Sequence, residues 1–424
     1  PKSLKKYSTE ELLELKNLNY NELSTEIINL FSADFISREE LLSLINKSYS
    51  TFREKEVVKL SNVGEIKLLE LFHGPTLAFK DVAMQFIGNL YEYYLSKNDK
   101  KINIVVATSG DTGAAAIDAI KGKSNLNIFV LHPNNRISSV QRKIMTTVEE
   151  KNVFNIAIDG NFDDCQNIVK SMFSDLEFSK SINMSGVNSI NWARIIAQAV
   201  YYFYSYFKLG KETISFSVPT GNFGDVFAGY LAKKMGLPID KLIVATNEND
   251  ILHRAISKGD YVSKEVRETI SPSMDIQLAS NFERLIYYIN NSDSEKTADI
   301  MKKIKQNTYQ IDKPSLEIIQ KDFLSESCNE KETLGIIKQT YEENNMILDP
   351  HTAVGVGAAK KLSFNDCVVL STAHPCKFPD ATNNAINKHE KLPEELQHIL
   401  NKDENFQVLK NNTTDVKNFV KSKI

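Results

Sequence analysis

The stretch LLELFHGPTLAFKDVAMQFIGNL, Leu68 to Leu90, opens as a buried strand, turns at Gly74 and Pro75, and continues from Phe79 as a helix. At helical spacing Phe79, Val82, Ala83, Phe86 and Leu90 form one apolar stripe, which Met84, Ile87 and Tyr91 widen on the side that carries Lys80. Burial disfavours the ammonium form of a lysine and leaves its amine available as a nucleophile, the group that holds an aldehyde as a Schiff base. The competing account is a snorkelling side chain with a packed stem and a wet head. The loops elsewhere in the chain decide for the nucleophile.

Beyond this helix, strand, tight loop and helix alternate. INIVVAT (Ile102 to Thr108), NIFVLHP (Asn127 to Pro133) and VFNIAID (Val153 to Asp159) each lead into a helical pattern, and ISFSVP (Ile214 to Pro219), LIVATN (Leu242 to Asn247) and CVVLST (Cys367 to Thr372) resume the series. Continuous apolar strands between helices imply an α/β fold, with open, twisted, parallel sheets covered on both faces and ligands bound at the carboxyl ends of the strands. Upstream, residues 1 to about 50 carry three short helical patterns, the first opened by a capping box of Ser8 and Glu11. The division expected is an N-terminal helical segment 1–55, a large unit made of 56–100 and 210–424, and a smaller α/β unit 101–209. The polar segment from about Asn291 to Glu332 reads as a solvated insertion rather than a mobile cover.

The chain of 424 residues is 42% hydrophobic and 25% charged, with a net charge of -3. That balance argues against a basic nucleic-acid surface and against a polybasic membrane face. The longest apolar stretches are strand-sized or broken by Arg194 and Gln198, so no span is expected and the expected location is cytoplasmic. Cys165, Cys328, Cys367 and Cys376 have neither the spacing of a metal site nor that of a disulfide framework.

Four loops carry chemistry. In VPTGNFGD, Gly221 and Gly224 let the backbone close on a ligand at a helix start, a phosphate cradle whose rival is an unliganded turn. In TSGDTGA, Ser109, Asp111 and Thr112 suit a carboxylate, against a plain N-cap. In NSINWAR, Asn188, Asn191 and Arg194 gather at three-residue spacing at the head of a long helix, a second anion site unless Arg194 merely pairs with a surface carboxylate. In STAHPCKF, Thr372 offers a hydroxyl at the end of a buried strand, and His374 reads as structural.

With LFHGPTLAFKD, ATSGDTGAAA, NSINWAR, SVPTGNFGD, ATNEND, LDPHTAVG and STAHPCKF in this order, the chain resembles the threonine synthases, pyridoxal-phosphate enzymes of the tryptophan-synthase-beta-like fold, and is most similar to their longer bacterial and fungal type. The resemblance implies pyridoxal phosphate on Lys80, its phosphate held by Gly221, Asn222, Phe223 and Gly224, and Thr372 facing the pyridine nitrogen. It further implies Ser109, Asp111 and Thr112 at the substrate carboxylate and Asn188, Ser189, Asn191 and Arg194 at the phosphate of O-phospho-L-homoserine. The enzyme would be a monomer or homodimer without nucleic-acid or membrane partners. Two departures stand out. The family pattern begins earlier than this chain does, and Cys376 replaces a common alanine. The rivals are a phospho-lyase releasing 2-oxobutyrate, an inactive binding relative, which loss of Lys80, Arg194 or a cradle glycine would mark, and a nicotinamide dehydrogenase, whose glycine fingerprint is missing.

Overall fold

The computed structural model describes residues 4–424. Among the described residues eleven strands build two sheets: β1 (Lys59–Val63), β2 (Ile66–Glu70), β3 (Ile102–Ala107), β4 (Leu126–Pro133), β5 (Val153–Asp159), β6 (Met184–Ser185), β7 (Ile214–Pro219), β8 (Ile239–Thr246), β9 (Phe323–Ser327), β10 (Val368–Ser371) and β11 (Gln407–Lys410). The larger sheet has the order β1-β2-β10-β7-β8-β9 and the smaller β11-β5-β4-β3-β6. Every pairing is parallel except that of β1 with β2, which gives the larger sheet one antiparallel edge.

The pleat sorts side chains to two faces, as a doubly covered sheet requires. In the larger sheet Leu69, Leu242, Val244, Val368 and Leu370 join the central core with the helices Lys80–Lys97, Trp192–Leu209 and Gly224–Lys234. Their neighbours Leu68, Ile243, Ala245 and Val369 turn the other way onto Ala353, Val354, Val356, Ala358 and Ala359 of the helix Pro350–Lys361. In the smaller sheet Ile104, Val106, Ile128 and Val130 also belong to the central core, whereas Val105, Phe129, Leu131, Ile156 and Ile158 pack on Cys165, Ile168 and Met172. One core therefore runs between the sheets, and the Lys80–Lys97 helix is at its centre. Residues Lys80 through Asn89 are all buried. At Gly88 this helix meets the helix Asp111–Ile120 so closely that a Cβ would lie 2.3 Å from the Ala119 carbonyl oxygen.

The three N-terminal helices form as expected, Thr9–Leu15, Tyr20–Ser32 and Arg38–Tyr49, each with a closed capping box. They brace the central helix: Tyr49 donates to the Val82 carbonyl at 3.1 Å, and Tyr20 sits edge-on to Tyr49 and Tyr204.

Three expectations change. The segment 291–332 is no solvated insertion, because β9 completes the larger sheet beside β8 and Ile300, Ile304, Ile319 and Phe323 are buried. The last residues leave the large unit: β11 pairs with β5, and Val416 and Val420 of the helix Thr413–Lys421 pack under the smaller sheet. The helix Trp192–Leu209, assigned on sequence to the smaller unit, packs on the helix Gly224–Lys234 of the larger.

Candidate active site

The carboxyl ends of the strands of both sheets converge on one cavity lined by Lys80, Asp111, Thr112, Ser189, Arg194, Gln198, Gly221, Asn222, Phe223, Gly224, Asp225, Ser273, His351 and Thr372 among others. Lys80 opens its helix directly after the turn at Gly74 and Pro75. The turn is held by Asp81, which accepts from the Thr76 N–H at 2.8 Å and its hydroxyl at 2.6 Å. Lys80 is 7% exposed. Its Nζ lies 3.3 Å from Asp111 Oδ2 and 3.4 Å from the Ser273 hydroxyl. Burial lowers its pKa; Asp111 opposes that shift, and Lys377 and Arg194 add to it. An amine so placed is a nucleophile in waiting.

Asp111 departs from its expected role. Its Oδ1 is 2.5 Å from Lys377 Nζ and accepts from Gln141 Nε2 at 3.0 Å, while Oδ2 faces Lys80. Burial would raise its carboxyl, but Lys377 and then Lys80 hold it well below the usual range. A permanent anion with both oxygens engaged does not receive another carboxylate, so Asp111 is corrected to a counter-ion of lysines. Thr112 remains on the cavity wall. Ser109 instead lines the adjoining cleft with Ser138, Gln141 and Phe378.

The residues expected to form the cradle make a turn between β7 and the helix Gly224–Lys234. Phe223 takes a left-handed conformation (φ 63°) and caps that helix, but its ring is fully buried against Phe282 and Phe323. Only its backbone faces the site. Gly221 is fitted against backbone: a Cβ there would sit 2.5 Å from the Ser273 carbonyl oxygen. The Asn222 carbonyl accepts from the Asn281 N–H at 3.1 Å, and its side chain accepts from Ser280 at 3.1 Å, so the loop is tied down from outside. The donors at this helix start suit a phosphate.

Arg194 is 4% exposed, donates to the Val187 carbonyl at 3.2 Å, and leaves Nε without a partner. Burial lowers its pKa to about 10. It pairs with no surface carboxylate. Ser189 lines the same cavity, but the two asparagines do not. Asn188 is exposed, and Asn191 caps its helix by accepting from the Ala193 N–H at 3.0 Å and donates to the Tyr91 hydroxyl at 2.9 Å. The cap used up the residue that three-residue spacing assigned to an anion.

Thr372 ends β10. Its carbonyl accepts from the Phe79 N–H at 2.8 Å, and this contact joins the strand to the start of the lysine helix. His374 is half-buried, accepts from the Cys376 N–H at 3.2 Å, and has its pKa lowered to about 4, chiefly by desolvation of the ring. Among the described residues no group of side chains could hold a metal ion, and no helix is long and apolar enough to cross a membrane.

Four groups were not assigned roles on sequence. Lys377 is fully buried and lies inside the quoted STAHPCKF, where a lysine between apolar neighbours was the available signal. His351, in LDPHTAVG, keeps Nδ1 on Asp349 at 2.9 Å and accepts from the Ser273 N–H through Nε2 at 3.2 Å, so its proton belongs on Nδ1. Gln198 follows Arg194 by one helical turn. Ser273 had no signal in a polar stretch.

The family model described as pyridoxal-phosphate dependent enzyme matches residues 57–372, and models described as threonine synthase N terminus and threonine synthase, C-terminal match 1–49 and 352–420. A threonine synthase of Saccharomyces cerevisiae is 47% identical over 90% of this chain and 83% of its own length. One of Pseudomonas aeruginosa is 42% identical over 99% of this chain and 91% of its own. The crystal structure titled as a PLP-bound threonine synthase from Brucella melitensis superimposes with a TM-score of 0.96 at 43% identity, covering 100% of this chain and 92% of that one.

Proposed function

The chain belongs to the threonine synthase family of pyridoxal-phosphate-dependent enzymes, and from that footing we propose that it converts O-phospho-L-homoserine and water into L-threonine and phosphate. Bound at Lys80, pyridoxal phosphate would supply an aldehyde for the substrate amine and a conjugated ring that spreads charge developing on carbon. The residues present fit it: a buried amine, a glycine turn pressed to backbone contact at Gly221, and Thr372 in the wall of the same cavity. The N–H groups from Gly221 to Gly224 would hold the cofactor phosphate, and a hydroxyl rather than a carboxylate at Thr372 would leave the ring nitrogen largely unprotonated.

The remaining steps fall to the chain's own side chains. Lys80, once its amine is released, takes protons from Cα and Cβ and later delivers protons to Cα and to Cγ, which becomes the methyl group, and Asp111 is the counter-ion that steadies it between these transfers. Thr112 faces the substrate carboxylate. Arg194 with Ser189 receives the substrate phosphate and stabilises it as it leaves Cγ, where a preorganised cation in a dry site is most effective. Water then adds at Cβ. We place the enzyme in the cytoplasm as a monomer or homodimer acting on this small molecule.

The observation that carries the assignment is Arg194, a buried guanidinium with no carboxylate partner and an orphaned Nε, in the same cavity as Lys80 and the glycine turn. The test is a product balance: the purified chain, pyridoxal phosphate and O-phospho-L-homoserine, with phosphate, threonine and 2-oxobutyrate quantified together. Phosphate matched by threonine is expected. Phosphate matched by 2-oxobutyrate would replace the synthase with a lyase, and no phosphate would remove the substrate.

A further inference from the structure

We propose that Lys377 is a positioning residue of this reaction: by holding Asp111 from the side opposite Lys80, it frees the Lys80 amine to work as a neutral nucleophile and base. The inference rests on Lys80 being the amine that carries the cofactor, as above, and not on the identity of the substrate.

The geometry is a shared carboxylate. Lys377 Nζ is 2.5 Å from Asp111 Oδ1 and Lys80 Nζ is 3.3 Å from Asp111 Oδ2, with Lys377 fully buried. Lys377 also donates to the Thr76 carbonyl at 3.0 Å, and Thr76 in turn binds Asp81, the residue after Lys80. One ammonium thus fixes the turn before Lys80, the head of the helix Asp111–Ile120 and the short Pro375–Lys377 turn. A solitary Asp111 beside Lys80 would stabilise the ammonium form and idle the amine. With Lys377 at shorter range, the carboxylate is already neutralised and the second lysine is left to the solvent-poor cavity. The other charged groups facing this cluster are Arg194 from the helix Trp192–Leu209 and Asp225 from the helix Gly224–Lys234, which act on Lys80 with opposite signs; the further titratable group near Asp111 is the His351 imidazole, from the helix Pro350–Lys361, whose Nε2 accepts from the Ser273 N–H. None of them touches Asp111 as Lys377 does.

The test follows recombination of the cofactor-free full chain with pyridoxal phosphate by the rise of visible absorbance, as a function of pH and with no substrate present. Only the neutral amine attacks the aldehyde, so the midpoint of the rate profile reports Lys80. Lys377→Met leaves Asp111 paired with Lys80 and is expected to move that midpoint upward by about one pH unit or more, since a like charge on the other oxygen of the same carboxylate, no more than about 8 Å away, is worth at least that at an effective dielectric constant of about 20. Near neutral pH the recombination rate then falls about tenfold, a unit being a tenfold change in neutral amine. Lys377→Arg keeps the charge and restores the midpoint. Should Lys377→Met fail to fold, Asp111→Asn removes the shared anion and is expected to move the midpoint downward. An unmoved midpoint in either variant overturns the proposal. Lys80→Ala separates the premises: recombination that persists there overturns the assignment of Lys80 itself, whereas its loss with an unmoved midpoint in Lys377→Met overturns the pairing alone.

Discussion

Replacing Arg194 by methionine should make the cofactor-free chain more stable and the loaded enzyme nearly inactive. The guanidinium is buried, and burial depresses its pKa to about 10. A depression of that size corresponds to a cost of about 3 kcal/mol for keeping the charge inside. Because the folded pKa of this base lies below its unfolded value, the cost is present at every pH below about 10 and is relieved only as pH rises through that value. Methionine keeps most of the stem's packing and gives up one hydrogen bond, to the Val187 carbonyl, worth about 1 kcal/mol. The net gain is about 1–2 kcal/mol, or a rise in Tm of about 1–2 °C for a chain of 424 residues, flat across the neutral range. Turnover should move the other way, with kcat down by about 10² or more, as for loss of one charge-stabilising donor in a dry site. Thermal unfolding of the cofactor-free chain and phosphate release by the loaded enzyme measure the two signs. A variant destabilised by about 2 kcal/mol that keeps its kcat would show Arg194 to be a structural residue, since buried groups that hold a fold lose that much when truncated.

Lys80→Ala should abolish the visible absorbance of the bound cofactor while the far-ultraviolet circular dichroism stays unchanged; retention of the band would exclude Lys80 as the attachment point. Gly221→Ala sets a methyl group 2.5 Å from the Ser273 carbonyl oxygen, so it should cost about 1–3 kcal/mol of stability by overpacking and weaken cofactor binding about tenfold or more. Equal cofactor affinity in equilibrium titration would mean that the turn is not the cradle. Asp225 is raised to about 6 by burial, although its Oδ1 accepts from the Tyr201 hydroxyl at 2.5 Å and the Tyr202 hydroxyl at 3.0 Å. An acid with a raised folded pKa contributes stability that is complete below its unfolded pKa and is lost as pH climbs to about 6. Asp225→Asn should therefore stabilise the cofactor-free chain more at pH 8 than at pH 5, by about 1–1.5 kcal/mol, because about half of the loss has already occurred by pH 5; equal gains at both pH values in urea titrations would show that Asp225 does not titrate there.

The central helix was legible because its information is local. The stripe from Phe79 to Leu90 and the turn at Gly74 and Pro75 lie within one stretch, and burial of Lys80 follows from its own neighbours. The same holds for β7 and the glycine turn behind it. What failed were assignments that depend on the other end of a contact. Asn191 stood at the right spacing from Arg194 for an anion, yet a helix start must satisfy its free N–H groups first, and the cap took the side chain. Ser109 and Asp111 share a loop, but Gly110 turns between them with φ 133°, and they face different cavities. β9 lay inside a polar segment because an edge strand buries little of its length, here chiefly Phe323. Asp111 and Lys377 come from distant parts of the chain, and neither carries a pattern naming the other. In a site built from the ends of several strands, positions can be read from sequence while partnerships cannot. The partnership matters most at Asp111, where one more lysine turns a residue expected to meet the substrate carboxylate into one that sets the charge of the nucleophile.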